Sequence, residues 1–596
     1  MKRIFLTPLF AVLTVLFAGS TINAQNEWLT DYEKSNFLKT PRMDAVISFC
    51  QKLDKAFGQV AYVSLGKSPQ QRDIPMLVYD ADGNFQPNPK SGKLVLLIEA
   101  CIHPGESEGK DAGLMLLRDI AVNGKFKELL KDITILFVPV FNVDGHERFG
   151  PFNRINQNGP EEMGWRTTAA NLNLNRDFLK ADAPEMRIWL KMFHSWNPDF
   201  FVDIHTTDGA DYQYPLTYDL NLGGNMDAGL TAWTKNVYLS QIEKKMEADD
   251  MPIFPYVSFR NWHDPKSGLI SWVCPLMLSE GYGAAANCPS LLIETHMLKD
   301  YKTRVSAAYA MLQHSIEIMA NEKTRLKTLR TTADSIAASG YFSKNYFPFD
   351  WDSSPDSVIV DFRGISYKAV KSEITGSDYF VYGTEKEDMK LEYFVNQVVT
   401  DSVLLPAAYI VPAEWTDVIE RLKLHGLTLY SLKKEIALNV ITTRFADVKL
   451  RNGTYEGRTK LESFESEEVT EKVLFPQGSI VIPTAQPKVR IVANALEVKS
   501  RDSFFQWGFF NTIFEQKEYA ESYVMEKMAK EMLEKDAGLK AKFEEAKKND
   551  PDFIKNPRAV LNWFYAHSPY WDLKKDLYPV AKLDNAELKL IMPSLR

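Results

Sequence analysis

Between residues 60 and 340, short apolar runs alternate with stretches whose apolar residues recur every three or four positions. KLVLLIEA (93–100), DITILFVPVFNVDG (132–145), FFVDIHT (200–206) and PSLLIETH (289–296) have the length and texture of buried strands. EGKDAGLMLLRDIAV (108–122) and APEMRIWLKMFHSW (183–196) carry the helical period, and 303–339 reads as one long amphipathic helix that closes the unit. The alternation predicts an α/β fold, a mixed and largely parallel sheet with helices on both faces, over residues 25–345.

Past residue 345 the texture changes to short alternating strands such as DSVIVDFRGISYKAV, with one strand-helix-strand pattern in AAYIVPAEWTDVIERLKLHGLTLYSL. A β-rich accessory region is expected over 346–510 and a helical, heavily charged region over 511–596. At the other end, Lys2 and Arg3 precede an apolar run to Phe17 and then small and polar residues to Ala24. This is the pattern of a cleaved secretory signal over 1–24, so the protein is expected to be exported, to the periplasm or the exterior, without a membrane span.

With 596 residues, 45% of them hydrophobic, the chain has material for several large cores. A formal net charge of −8 and the lack of a long basic run argue against nucleic acid as a partner. Cys50, Cys101, Cys274 and Cys288 do not make a disulfide scaffold or a paired zinc motif. Two states stand for Cys274 and Cys288: one bridge, or two buried thiols.

The chemistry gathers where strands end. KLVLLIEA runs into His103 and Glu106, FFVDIH ends on His205, and SLLIE ends on Glu294, all at the carboxyl edge where open α/β sheets build their ligand sites. His314 and Glu317 share the His-x-x-Glu spacing but fall within the long helix, where they are expected to be surface residues. Two histidines and one glutamate with an open fourth position form a catalytic zinc set, for which carboxypeptidase A is the standard example.

HPGE (103–106), NVDG (142–145), NLNRDF (173–178), DIHTTDG (203–209) and LLIETH (291–296) stand in an order and rough spacing that resembles the zinc carboxypeptidases of the A/T type. The resemblance implies one zinc ion per chain held by His103, Glu106 and His205, with Glu294 as general base and a peptide or peptide-like substrate. It also implies that Asn175 and Arg176 grip a terminal carboxylate and that Arg154 polarises the scissile carbonyl, with Arg166 its competitor. Tyr282 is the candidate for the family's substrate-covering tyrosine, and Glu280 for a pocket residue favouring basic side chains, set against simple solvent exposure. Glu108 reads as the first turn of a helix.

The chain departs from the family at Asn173, where an aspartate usually orients a zinc histidine; the amide oxygen can still accept an imidazole N–H but raises ligand basicity less. Asp203 is either a second partner of this kind or a surface residue. The expected activity is that of an exported metallocarboxypeptidase. Its alternatives are a cell-wall peptide hydrolase or amidase with the same metal set, and a non-catalytic peptide- or glycan-binding relative. Oligomeric state leaves no mark in the sequence.

Overall fold

The computed structural model describes residues 27–261 and 264–596, so the signal-like segment 1–24 lies outside the described residues. Strands β1 (Val60–Lys67), β2 (Asp73–Tyr79), β3 (Leu94–Ala100), β4 (Ile133–Val138), β5 (Phe200–Thr207), β6 (Leu216–Asp219) and β7 (Ile253–Pro255) share one sheet. A short β8 (Leu269–Ile270) lies outside it, and β9 (Ser290–His296) completes it in the order β1-β2-β4-β3-β5-β9-β6-β7. The centre, β4-β3-β5-β9, is parallel, and β2 and β6 flank it antiparallel.

Both faces of that centre are covered, which is why its strands read as continuous apolar runs. Helix Glu108–Asn123 lies on the face that carries Ala100, Ile204 and Phe137. A side chain at its Gly109 would come within 2.6 Å of Ile204, and one at Gly113 would meet the Phe137 ring. The opposite face, carrying Phe201, is covered by helix Pro184–Trp196, whose Trp189 packs against Phe201 with ring centroids 5.5 Å apart.

The predicted long helix is instead two, Tyr301–Asn321 and Lys323–Ala338, broken at Glu322. Glu322 accepts a hydrogen bond from the Trp233 indole (3.3 Å), and the second helix sends Arg330 to Asp199 and to the Asn197 carbonyl. Those partners come from distant segments, and the amphipathic period does not register them.

After residue 345 come β10 (Phe347–Ser353), β11 (Val358–Lys371), β12 (Asp378–Phe394) and β13 (Gln397–Val403), paired β10 with β13 and β11 with β12. Next are β14 (Ala408–Val411), β15 (Tyr430–Ser431), β16 (Ile436–Leu450), β17 (Leu461–Phe475), β18 (Ile480–Pro483) and β19 (Ala581–Leu583), in one sheet of order β15-β18-β14-β19-β16-β17. β19 comes from the expected helical region 511–596 yet sits between β14 and β16, so that region does not stand apart. Nor does the β-rich region: β12 pairs with β8, and one contiguous buried core contains Leu97 and Phe201 together with Tyr409 and Phe505. All four cysteines are buried and free, Cys274 and Cys288 included. Among the described residues, no helix is long and apolar enough to cross a membrane.

Candidate active site

Three strand ends build the site. After β3 the chain makes a β-turn, His103-Pro104-Gly105-Glu106, closed by the Glu106 N–H donating to the His103 carbonyl (2.9 Å), with proline at the second position where its fixed φ suits. The turn sets His103 and Glu106 side by side, their side chains 3.3 Å apart from Nδ1 to Oε2. Gly105 is required there, because a Cβ would lie 2.5 Å from the Arg154 side chain that crosses the turn. His205, on β5, places its Nδ1 3.0 Å from the same Oε2, and Glu294 is its in-register neighbour on β9.

The two imidazoles are oriented alike. His103 Nε2 lies 2.9 Å from the Asn173 amide oxygen, and His205 Nε2 lies 2.8 Å from Asp203 Oδ2. With Nε2 engaged by its partner, each ring turns Nδ1 toward the Glu106 carboxylate, the nitrogen that would ligate a metal once unprotonated. Asp203 is 1% exposed and serves as a partner of His205, not as a surface residue. The ligand-type atoms of His103, Glu106 and His205 all lie within 4.8 Å of one another, and all three residues are buried. Two nitrogens and one carboxylate in a buried group suit zinc, with room for a further ligand.

The electrostatics point the same way. Burial lowers the His103 pKa to about 4, keeping the ring in its neutral, ligating form. Burial would also lower that of His205, but Asp203 and Glu106 outweigh it and hold the value well above normal. Burial would raise that of Glu106, but His103 and Arg154 hold it well below. The centre therefore favours a positive charge, and a metal dication competes for the place a proton takes at His205. Glu294 stands outside the ligand group; burial, together with Glu106 and Glu280, raises its pKa to about 8 against the pull of His205.

These residues line a cleft of about 520 Å³ that also holds Arg154, Arg166, Asn175 and Arg176. Arg154 reaches Glu106 Oε1 at 3.0 Å and Arg166 reaches it at 3.4 Å, the former better buried. Asp219 and Glu280 line the same cleft; burial raises the pKa of both, Asp219 raises that of Glu280 further, and neither has an ion-pair partner among the described residues.

Residues 46–274 match the family model described as zinc carboxypeptidase. The match takes in His103, Glu106 and His205, and ends before Glu294. Carboxypeptidase 2 of Trichophyton rubrum is 23% identical over 492 residues, covering 78% of this chain and 84% of that one. Carboxypeptidase 2 of Trichophyton equinum is 22% identical over 490 residues, with the same coverage. A metallo-carboxypeptidase structure from Burkholderia cenocepacia is 19% identical, covers 47% of this chain and 69% of its own, and superposes with a TM-score of 0.35. Both fungal alignments are longer than the 25–345 span, so the resemblance to those relatives extends into the C-terminal half.

Several residues stand elsewhere than the sequence suggested. Tyr282 cannot cover a substrate: it is 0% exposed, packs against Trp189 and Phe193, and its hydroxyl bonds His194 (2.8 Å) and His425 (2.7 Å). Glu280 is buried, not solvent-exposed, with Ser279 Oγ donating to it at 2.9 Å. Glu108 does open a helix, but its carboxylate is buried against Arg304 (2.7 Å) and Thr206 Oγ1 (2.7 Å). His314 is buried too, 2.7 Å from Asp249 and 3.3 Å from Glu317, and takes no part in the metal group. The aromatic side chains that do line the cleft are Tyr256 and Trp272, stacked with centroids 6.1 Å apart. They come from irregular connections, where periodicity carries no signal.

Proposed function

We propose that this chain is an exported zinc carboxypeptidase that removes C-terminal residues from peptides, with residues 25–345 as the catalytic part. The observation that carries the reading is the convergence of His103 Nδ1, His205 Nδ1 and the Glu106 carboxylate beside Glu294, in a cleft shared with Asn175 and Arg176. Export rests on the pattern of residues 1–24.

In this reading His103, Glu106 and His205 hold one zinc ion, which supplies Lewis acidity and lowers the pKa of a water toward neutrality. Glu294, with its raised pKa, takes a proton from the attacking water and hands it to the leaving amine. Arg154 offers its guanidinium to the oxygen that gains charge, with Arg166 behind it. Arg176 and Asn175 bind the terminal carboxylate, a bidentate task suited to a guanidinium. Asp219 and Glu280, two carboxyl groups that line the cleft without an ion-pair partner among the described residues, favour a cationic side chain on the departing residue.

The test compares a peptide with a free C-terminus and its C-terminal amide, with and without a chelator. The free acid should be cleaved faster by about 30- to 1,000-fold, the worth of a desolvated charge-assisted contact. Equal rates on the two, or cleavage of internal bonds in a cell-wall stem peptide, would replace the carboxypeptidase reading with that of a cell-wall hydrolase.

A further inference from the structure

Arg176 is met from outside the catalytic sheet. β16 and β17 form a long ribbon in the C-terminal half, and at its tip Tyr455 and Arg458 exchange backbone hydrogen bonds of 2.9 and 3.1 Å. The two residues between them, Glu456 and Gly457, have φ of 50° and 78°, the positive values a tight two-residue hairpin turn requires. This tip rests on the segment that carries the carboxylate clamp. The Tyr455 hydroxyl accepts from Arg176 Nε–H at 3.2 Å, and the Glu456 carboxylate accepts from the Asn173 backbone N–H at 3.1 Å.

The tip is itself held. Arg458 makes a bidentate pair with Asp182, both contacts 2.7 Å, and lies 3.5 Å over the Phe509 ring. The Tyr455 ring stacks on Trp507, 5.9 Å between centroids and 14° between planes. Arg176 also donates from Nη1 to the Asn175 carbonyl at 2.5 Å. With Nε taken by the tyrosine, the guanidinium is fixed in orientation and its Nη edge is the one left to meet a carboxylate.

We propose that Tyr455 is a positioning residue: the ribbon tip of the C-terminal half sets the direction of Arg176 and so makes that half part of the device that selects a free C-terminus. The inference rests on the reading of Arg176 as the clamp. Holding the arginine in its binding orientation beforehand spares substrate binding the cost of ordering a long side chain.

The variant Tyr455→Phe removes the acceptor and keeps the ring on Trp507. For a free-acid peptide, KM should rise about two- to tenfold, the worth of one hydrogen bond, with kcat unchanged. KM for the amide peptide should not move, nor should zinc content or melting temperature. In an Arg176→Ala background the same change should have no further effect. If Tyr455→Phe leaves the acid-peptide KM alone, or raises the acid and amide values equally, the positioning role is overturned while the clamp stands. A wild type that does not distinguish acid from amide removes the clamp and this role together, so the two failures read differently.

Discussion

The two histidines of the candidate centre have unlike partners, and exchanging them should move metal affinity in opposite directions. His205 donates to a carboxylate, Asp203, at 2.8 Å, and His103 to an amide, Asn173, at 2.9 Å. A hydrogen bond to a charged group contributes about 1.5–3 kcal/mol and a neutral one about 0.5–1.5 kcal/mol, so the charge on Asp203 is worth about 1–2 kcal/mol to the ligating form of His205. Asp203→Asn should therefore weaken zinc binding by about 5- to 30-fold, comparable to the loss seen when other carboxylate partners of metal histidines are removed. Asn173→Asp should tighten it by a similar factor. Losing the Asp203 charge also removes a partner that holds the His205 pKa up, so the metal-free protein should melt somewhat lower, and affinity and melting temperature are read separately. The assay is competition for zinc against a chelator of known affinity. An Asp203→Asn protein with unchanged affinity would refute the argument that these two rings present their Nδ1 atoms to a metal.

Glu294→Gln should keep its metal and lose turnover by orders of magnitude, measured as metal content beside kcat. Glu294 acts ionised, so kcat/KM should climb as pH rises through its pKa, at a value between the ordinary 4.5 and about 8, since a bound cation draws down the value burial has raised. That limb should vanish from the residual rate of the glutamine variant. Glu280→Gln should lower kcat/KM for peptides ending in lysine or arginine by about tenfold, one charge contact in a cleft, and leave apolar C-termini little changed; an equal loss on both would remove the cation preference. His314→Ala should leave metal binding intact but lower stability by about 1–3 kcal/mol, because it empties a buried site and removes the contacts to Asp249 and Glu317, as denaturant titration would show.

The central strands were legible because covering both faces of a parallel sheet forces uninterrupted apolar runs, and a polar residue breaking such a run marks where the sheet meets the cleft. That logic brought His103, Glu106, His205 and Glu294 together before any coordinates. It could not tell which way a side chain leaves a helix: Tyr282 and Glu280 sit two apart on one short helix, the tyrosine buried against aromatic rings and the glutamate lining the cleft. His314 looked like a surface residue because Asp249, which meets its Nε2 at 2.7 Å, lies 65 positions away. Tyr455 was invisible for the same reason, since 279 positions separate it from Arg176.

The place of β19 has a bearing on when this molecule can come into being. Ala581–Leu583 fills the slot between β14 and β16, so until that stretch has been made both neighbouring edges lack their partner and the sheet holding the Tyr455 ribbon stays open. Contacts of such long range close slowly, and the order of synthesis puts β19 after both of its neighbours. A chain clipped short of residue 581 would carry every candidate metal ligand and still lack the strand that joins β14 to β16.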